Sequence, residues 1–384
     1  MVRRYAHFTV TVFRILLCVV LFTHIANAQV SSGETLLAQY GALRTIAGLS
    51  EGEDANFWKA EFEGAKAREI ELSNPHMTMA DPAGNYYISN KESHSILKVD
   101  PSGVVTTFAG THESGYNSDL GNATEIMLHA PNRLHVFPDS TVFILDFFDR
   151  RVRRGDVSGT LTTMFETHSF GPDRALWVNP SEDLIYVNGP DSVHKWTPTG
   201  GLEVAVSNLP DPGNLTVDPN GNLVVTTRSE HLVYRVHGPD DLEIIAGNDT
   251  DVEVPLGGVP TTEVGLEWPR GVAFPLNGTL FIATQKGGDV WYVDSKSIIH
   301  PFVKGRRSGN ERSGKGQRFN TPGDKIRKPR AVSMVPNGDI IITSNDKDII
   351  RIVKRFQIPA LCLQRTSDDL KAMSDLVASR PYHL

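Results

Sequence analysis

Three arginines occupy the same position in three copies of an internal repeat, where together they could bind an anion. Each stands first after the leading proline slot of its copy: Arg174, Arg270 and Arg330. Guanidinium groups present forked donors that match carboxylate, phosphate and sulfate, and each contact strengthens where water is partly excluded. The alternative is structural, because such arginines could also donate to carbonyl groups of neighbouring repeats and tie the array together.

The repeat that positions these residues runs six times from Asn74 to Arg355. The clearest copy, at residues 74–110, reads NPHMTMADPAGNYYISNKESHSILKVDPSGVVTTFAG, with a proline leading into three apolar strands separated by turns. The turn between the first two strands recurs at Pro82, Pro138, Pro180, Pro219, Pro275 and Pro336. Such short strands at a spacing of roughly 40 to 60 residues are typical of four-stranded propeller blades.

The pattern resembles the NHL repeat family of β-propellers. The resemblance covers residues 41–355 and is carried by AGTHESGYNSDLGNATEIMLHAP, residues 109–131, and by YYISNKESHSILKVD. It implies a propeller but no single activity, since propellers host unrelated functions. Some NHL propellers are amidating lyases that hold zinc on three channel histidines. Here only His76 and His135 are expected on innermost strands, so the resemblance implies an incomplete zinc set.

The N-terminal part of the repeat region predicts how the ring closes. GALRTIAG, residues 41–48, reads like GVVTTFAG, residues 103–110, which forms the outermost strand of a blade. The sixth copy lacks that strand after Arg355. We therefore predict an all-β fold, a six-bladed propeller over residues 41–355 that is closed by an N-terminal strand.

The alternation of side chains along a strand predicts which residues face the central channel. The slot after the leading proline should ring the channel mouth and holds His76, Asn132, Arg174, Gly213, Arg270 and Arg330. Three residues further on, a second row should look into the channel: Met79, His135, Trp177, Thr216, Ala273 and Ser333. We predict a ligand site formed by Arg174, Arg270, Arg330, His76, Asn132 and His135.

The two ends of the chain have separate interpretations. Arg3 and Arg4, an apolar stretch and Ala26-Asn27-Ala28 predict a signal peptide over residues 1–28, with an uncleaved signal anchor as the alternative. Residues 29–40 form a lead into the propeller. Residues 356–384 form a tail with one short helix at most. After signal cleavage we expect no stable membrane span.

Sequons predict sites of glycosylation if the chain is exported by a eukaryote. Asn122 and Asn248 fall in loops between blades and Asn277 in a turn, so all three are candidate acceptors. A fourth, Asn214, falls in an innermost strand, where it should be blocked.

Charge is distributed unevenly. The chain has a formal charge of −7, and removal of the signal peptide takes away three arginines and no acid. The stretch 304–330 is nevertheless strongly basic, which could steer an acidic partner towards the mouth. The acidic mature chain and its export signal argue against nucleic-acid binding.

These features predict a secreted binding or scaffold module without a cofactor, whose partner is an acidic protein, a glycan or a small anion. The alternative is a metal-assisted lyase or hydrolase that uses a divalent metal at the same channel mouth.

Overall fold

The computed structural model describes residue 36 and residues 39–49, 55–167, 174–248, 254, 258–274, 278–305, 326, 328–345 and 348–356. Within these residues, antiparallel strands form six sheets, and short 3-10 helices cover Ala60–Phe62, Lys91–Ser93 and Thr261–Glu263. The innermost strands contact one another in a closed circle. The protein is therefore the six-bladed β-propeller that the repeats predict.

The strands follow chain order from blade 1 to blade 6, except that β1 (Tyr40–Ala47) belongs to blade 6. Blade 1 contains β2 (Pro75–Ala80), β3 (Tyr86–Asn90), β4 (Ser95–Val99) and β5 (Val105–Ala109). Blade 2 contains β6 (Leu120–Asn122), β7 (Arg133–Val136), β8 (Val142–Asp146), β9 (Arg151–Gly155) and β10 (Thr160–Glu166). Blade 3 contains β11 (Leu176–Val178), β12 (Ile185–Asn188), β13 (Val193–Thr197) and β14 (Gly201–Val206).

The remaining blades follow the same plan. Blade 4 contains β15 (Pro212–Val217), β16 (Leu223–Thr227), β17 (Leu232–Gly238) and β18 (Asp241–Ala246). Blade 5 contains β19 (Val259–Pro260), β20 (Pro269–Ala273), β21 (Leu280–Thr284), β22 (Val290–Val293) and β23 (Ile298–Val303). Blade 6 contains β24 (Pro329–Met334), β25 (Ile340–Ser344), β26 (Ile349–Arg355) and β1. The repeat pattern did not predict the additional outer strands, β6 and β19.

The ring closes where β1 pairs with β26. The pairing is antiparallel and aligns Leu43 with Val353, as the prediction of an N-terminal closing strand requires. Leu43 is buried in an apolar cluster that also holds Phe302 of blade 5 and Ile342 of blade 6. Strand pairing and packing between blades thus join the two ends of the propeller.

The core lies between blades instead of at one centre. Each of the six apolar clusters is built mainly from two neighbouring blades. The innermost strands contribute a row that is buried as predicted: Thr78, Leu134, Leu176, Leu215, Val272 and Val332. Removing a blade would expose two such clusters, which explains why the ring must be closed to be stable.

The start of each innermost strand has an irregular backbone that shapes the channel mouth. The residue before the leading proline has a positive φ of 41° to 56° at Asn74, Ala130, Asp211, Trp268 and Lys328. A register break follows the proline in β2, β15, β20 and β24, which is the pattern of a β-bulge. A bulge rotates the extra residue out of the regular alternation, so its side chain is redirected towards the mouth.

Polar side chains on the second strand of a blade accept hydrogen bonds from the backbone N–H groups that the bulge leaves without a partner in the sheet. Ser89 Oγ accepts from the Met77 N–H at 3.1 Å, and Thr226 Oγ1 accepts from the Asn214 N–H at 2.8 Å. In blade 3 an amide has this role, since Asn188 Oδ1 accepts from the Ala175 N–H at 2.6 Å. The bulge is therefore encoded jointly by the leading proline and by a polar side chain on the neighbouring strand.

Deleting β1 tests the closure. From a chain that begins at Gln29, removal of residues 29–48 should expose the edge of β26 and the Phe302 cluster, lowering the melting temperature and causing aggregation. Differential scanning fluorimetry and light scattering measure both effects. Deletion of residues 29–35 alone is the control and should change neither. An unchanged melting temperature for the longer deletion would contradict the closure.

Candidate functional site

Two positions of the repeat form the channel mouth. The inner ring is the residue that follows the leading proline slot: His76, Asn132, Arg174, Gly213, Arg270 and Arg330. The outer ring is the residue directly after the second strand: Lys91, Phe147, Gly189, Arg228, Gln285 and Asn345. A backbone hydrogen bond links the outer ring of blade 4 to the residue before its leading proline, since the Arg228 N–H donates to the Asp211 carbonyl at 3.0 Å. The sequence prediction identified only the inner ring.

Members of both rings, together with Asn74 before the leading proline of blade 1, line a cavity of about 250 Å³ at this mouth. The lining residues are Asn74, His76, Lys91, Asn132, Phe147, Arg174, Arg270, Arg330 and Asn345. The structure thus brings together His76, Asn132 and the three predicted arginines. Four of these lining residues are cations, and no described lining residue carries a carboxylate. Lys91 is paired with its neighbour Glu92. The three guanidinium groups give the cavity its charge.

Arg270 and Arg330 lie in the cavity wall without an ion-pair partner among the described residues. The Nε–H groups of both are buried and find no hydrogen-bond acceptor among the described residues. Burial, followed by the charges of Arg174 and Arg133, lowers the pKa of Arg270 to about 9. Burial and then the charge of Arg270 hold the pKa of Arg330 well below its ordinary value. A guanidinium stays protonated at neutral pH, so the lowered pKa values express first the loss of hydration on burial and then the repulsion between arginines, both of which a bound anion would offset.

Arg228 extends the basic surface beyond the cavity lining. Gly213 leaves blade 4 without an inner-ring side chain, since a Cβ there would lie 2.5 Å from Thr226 Oγ1. Arg228 of the outer ring supplies the cation of this blade and pairs with Asp211. Its guanidinium carbon lies 5.7 Å from the centre of the Trp268 ring, and that of Arg270 lies 5.8 Å away. The aromatic face therefore offsets part of the repulsion between the two arginines.

Arg133 ties blades together and was missed by the sequence prediction. It is 4% exposed and stands one residue after the inner-ring slot of blade 2. Its Nε donates to the Arg174 carbonyl at 2.7 Å, and its two terminal nitrogens donate to the carbonyls of His76 at 2.8 Å and Arg270 at 3.4 Å. These acceptors belong to blades 3, 1 and 5. The structural role considered for the three inner-ring arginines is thus filled by Arg133.

His76 and Asn132 form a neutral pair between blades 1 and 2. The ring Nδ1 of His76 hydrogen-bonds to Asn132 Oδ1. Burial first, and then the charge of Arg330, hold the pKa of His76 well below its ordinary value. His76 is therefore neutral at pH 7. Because an amide oxygen can only accept a hydrogen bond, Nδ1 carries the ring proton and Nε2 carries the lone pair.

His135 is separate from this group. It lies on β7, three residues beyond Asn132, and does not line the cavity. Its ring contacts Phe137 at 5.2 Å and Trp177 at 6.4 Å between ring centres. Burial alone lowers its pKa to about 4. That His135 faces the channel stays a prediction, and about 10 Å of strand separates it from the mouth.

The remaining predicted features are partly outside the described residues. Within the described part of the chain, no three His, Cys, Asp or Glu side chains come close enough to hold a metal ion. Among the same residues no helix is long and apolar enough to cross a bilayer. Of the candidate glycosylation sites, Asn122 is exposed and Asn248 is partly exposed. Asn277, the signal peptide, residues 306–325 of the basic stretch and residues 357–384 of the tail lie outside the described residues.

Comparison with known proteins places the chain among β-propellers. No protein-family model matches it. Among curated proteins, Protein SUPPRESSOR OF QUENCHING 1, chloroplastic, from Arabidopsis thaliana is 26% identical over 136 residues. That match covers 35% of this chain and only 13% of the plant protein.

Solved propellers resemble the chain over most of its length. A protein of unknown function from Bacteroides thetaiotaomicron has a TM-score of 0.60 at 15% identity, covering 81% of this chain and 75% of its own. An auxiliary nutrient binding protein from Bacteroides ovatus has a TM-score of 0.59 at 13% identity, covering 83% and 78%. A gluconolactonase from Xanthomonas campestris has a TM-score of 0.54 at 15% identity, covering 85% and 94%. At these identities the likeness shows the fold alone.

Substitution of Arg133 tests whether this arginine stabilises the fold more than an inner-ring arginine does. Arg133→Leu should lower the free energy of unfolding by at least about 2 kcal/mol, because buried carbonyls of His76, Arg174 and Arg270 lose a charged donor. Chemical denaturation measures the loss. Arg174→Leu is the control and should cost less, since its side chain donates no hydrogen bond to any described residue. Equal losses would contradict the assignment of Arg133 as the tie between blades.

Proposed function

We propose that this protein is an NHL-like propeller that binds an anion at its channel mouth and works as a binding or scaffold module. The observation that carries the proposal is the cavity itself, which gathers Arg174, Arg270 and Arg330 without a carboxylate among its described lining residues. Buried cations are normally paired, since an isolated charge loses its hydration without compensation. Here the missing counter-charge is best supplied by a ligand.

The arrangement suits recognition of an anion better than support of the ring. Arg133 already donates to the carbonyls of three blades, whereas the Nε–H groups of Arg270 and Arg330 are buried without an acceptor in the described residues. Buried guanidinium donors bind carboxylate, phosphate and sulfate with charge-assisted hydrogen bonds. A small anion, or an acidic group on a glycan or a protein, fits this donor set.

The proposal includes the cellular location. The predicted signal peptide would export the chain, so that Asn122, Asn248 and Asn277 become available for glycosylation if the host is a eukaryote. The Bacteroides ovatus neighbour is an auxiliary nutrient binding protein, and a binding role for this propeller is compatible with that likeness in fold. An uncleaved signal anchor would leave the propeller on the same side of the membrane.

A metal-assisted lyase or hydrolase at the same mouth is the alternative. A catalytic zinc site needs three protein ligands, whereas His76 is the one histidine among the described residues that line the cavity. Metal analysis of the purified mature protein distinguishes the two proposals. We expect less than stoichiometric zinc, calcium or magnesium. A stoichiometric ion that is lost on His76→Ala substitution would favour the enzyme.

Substitution of the inner-ring arginines tests anion binding. Sulfate, phosphate and citrate at low ionic strength should raise the melting temperature of the wild type, because they bind the folded state and relieve repulsion at the mouth. The combined variant Arg174→Gln, Arg270→Gln and Arg330→Gln should keep its fold and lose this stabilisation. Scanning fluorimetry and titration calorimetry measure both effects.

The matched control removes the same number of charges elsewhere. Arg44, Arg68 and Arg150 are exposed, so their combined replacement by Gln should leave the anion effect intact. A mouth variant that fails to fold would show that these arginines support the ring. A mouth variant that folds and binds as before would place the anion elsewhere and refute the proposal.

A further inference from the structure

The cavity is lined mainly by hydrogen-bond donors, and this limits the kind of anion that can bind there. Gln285 Nε2 donates to Asn345 Oδ1 at 3.2 Å, and Asn345 Nδ2 donates to Asn74 Oδ1 at 3.3 Å. Asn345 and Asn74 thus use their side-chain oxygens within this chain of amides, which ends on the N–H groups of Asn74. The arginines and Lys91 also present only donors. A ligand must therefore offer several acceptor atoms.

One side-chain acceptor, Nε2 of His76, remains among the donors that line the cavity. His76 is 3% exposed and lines the cavity, and its Nδ1 is engaged by Asn132 Oδ1. Within the described part of the chain, Nε2 of His76 has no hydrogen-bond partner. The neutral ring makes this nitrogen an acceptor. The ligand that satisfies the cavity thus combines an anionic group with one O–H donor.

We propose that the mouth binds a small hydroxy acid, a carboxylate with a hydroxyl group close to it. The carboxylate is held by Arg270, Arg330 and Arg174, and the hydroxyl donates to Nε2 of His76. This inference rests on the proposed function, since it specifies the ligand of the same cavity. It goes further because it assigns a specificity-determining role to His76.

The size and the apolar part of the cavity agree with such a ligand. A volume of about 250 Å³ lies below the common range of small-molecule pockets, so the ligand should be compact. Phe147 is the one aromatic hydrocarbon side chain among the described lining residues, and it can pack against a short carbon skeleton. Sulfate, which has no O–H group at neutral pH, would use the arginines but neither Phe147 nor the acceptor of His76.

Paired ligands test the inference. Titration calorimetry at neutral pH and low salt compares malate with succinate and glycolate with acetate, which differ only in the hydroxyl group. The wild type should bind the hydroxylated acid of each pair about tenfold more tightly. The acid without a hydroxyl group leaves the buried acceptor Nε2 of His76 without a hydrogen bond. His76→Phe should abolish this preference while succinate still binds. His135→Phe, which replaces a half-buried histidine outside the cavity lining, is the control and should retain it.

A measurement on the unmodified protein keeps the test decisive if His76→Phe does not fold. Methoxysuccinate keeps the oxygen of malate but lacks its proton, so it should bind no more tightly than succinate. Equal binding of malate and succinate by the wild type would overturn this inference and leave anion binding intact. A hydroxyl preference that survives in a folded His76→Phe variant would also overturn it. No binding of any of these acids, or of sulfate, would refute the proposed function itself.

Discussion

The backbone irregularity at the start of each innermost strand determines the rest of the mouth. A residue with positive φ, a proline and a bulge recur around the ring, and they redirect the following side chain from the regular alternation towards the channel opening. The geometry is costly, since a residue such as Trp268 or Lys328 is strained at positive φ. Packing between blades and second-strand side chains such as Ser89 hold it in place. One local motif, repeated by the fold, thus becomes a ring of convergent side chains.

That ring concentrates positive charge in a chain whose formal charge is −7. Three kinds of contact reduce the energetic cost of bringing these positive charges together. Arg133 is neutralised in effect by the carbonyl dipoles of neighbouring blades, Arg228 pairs with Asp211, and the face of Trp268 lies beside Arg228 and Arg270. Arg330 has none of these partners among the described residues, and burial and then the charge of Arg270 hold its pKa well below the ordinary value. The repulsion that remains is therefore localised at the cavity, where a ligand can reach it.

The periodicity of the sequence was sufficient to predict the six blades, the closing strand and the inner ring, because each copy repeats the same order of proline, turn and strand. Arg228 was also within reach, since aligning the residue after each second strand would have shown the outer ring. Arg133 could not be predicted in this way, because the same position holds Met77 in blade 1 and Ala175 in blade 3. Its contacts also depend on a long side chain that extends to carbonyl groups of other blades. His135 was predicted to belong to the site but lies outside the cavity lining, because periodicity alone does not say how deep the cavity extends.

The site also spans the junction between the last blade and the first. Blade 6 carries Arg330 and is completed by β1, and blade 1 beside it carries His76. The two blades are joined there by polar contacts, such as that of Thr343 Oγ1 with Thr78 Oγ1 at 3.1 Å. A ligand held by Arg330 and His76 together would add a further link between them. Because binding to the folded ring alone stabilises it, occupation of the mouth and closure of the propeller reinforce each other.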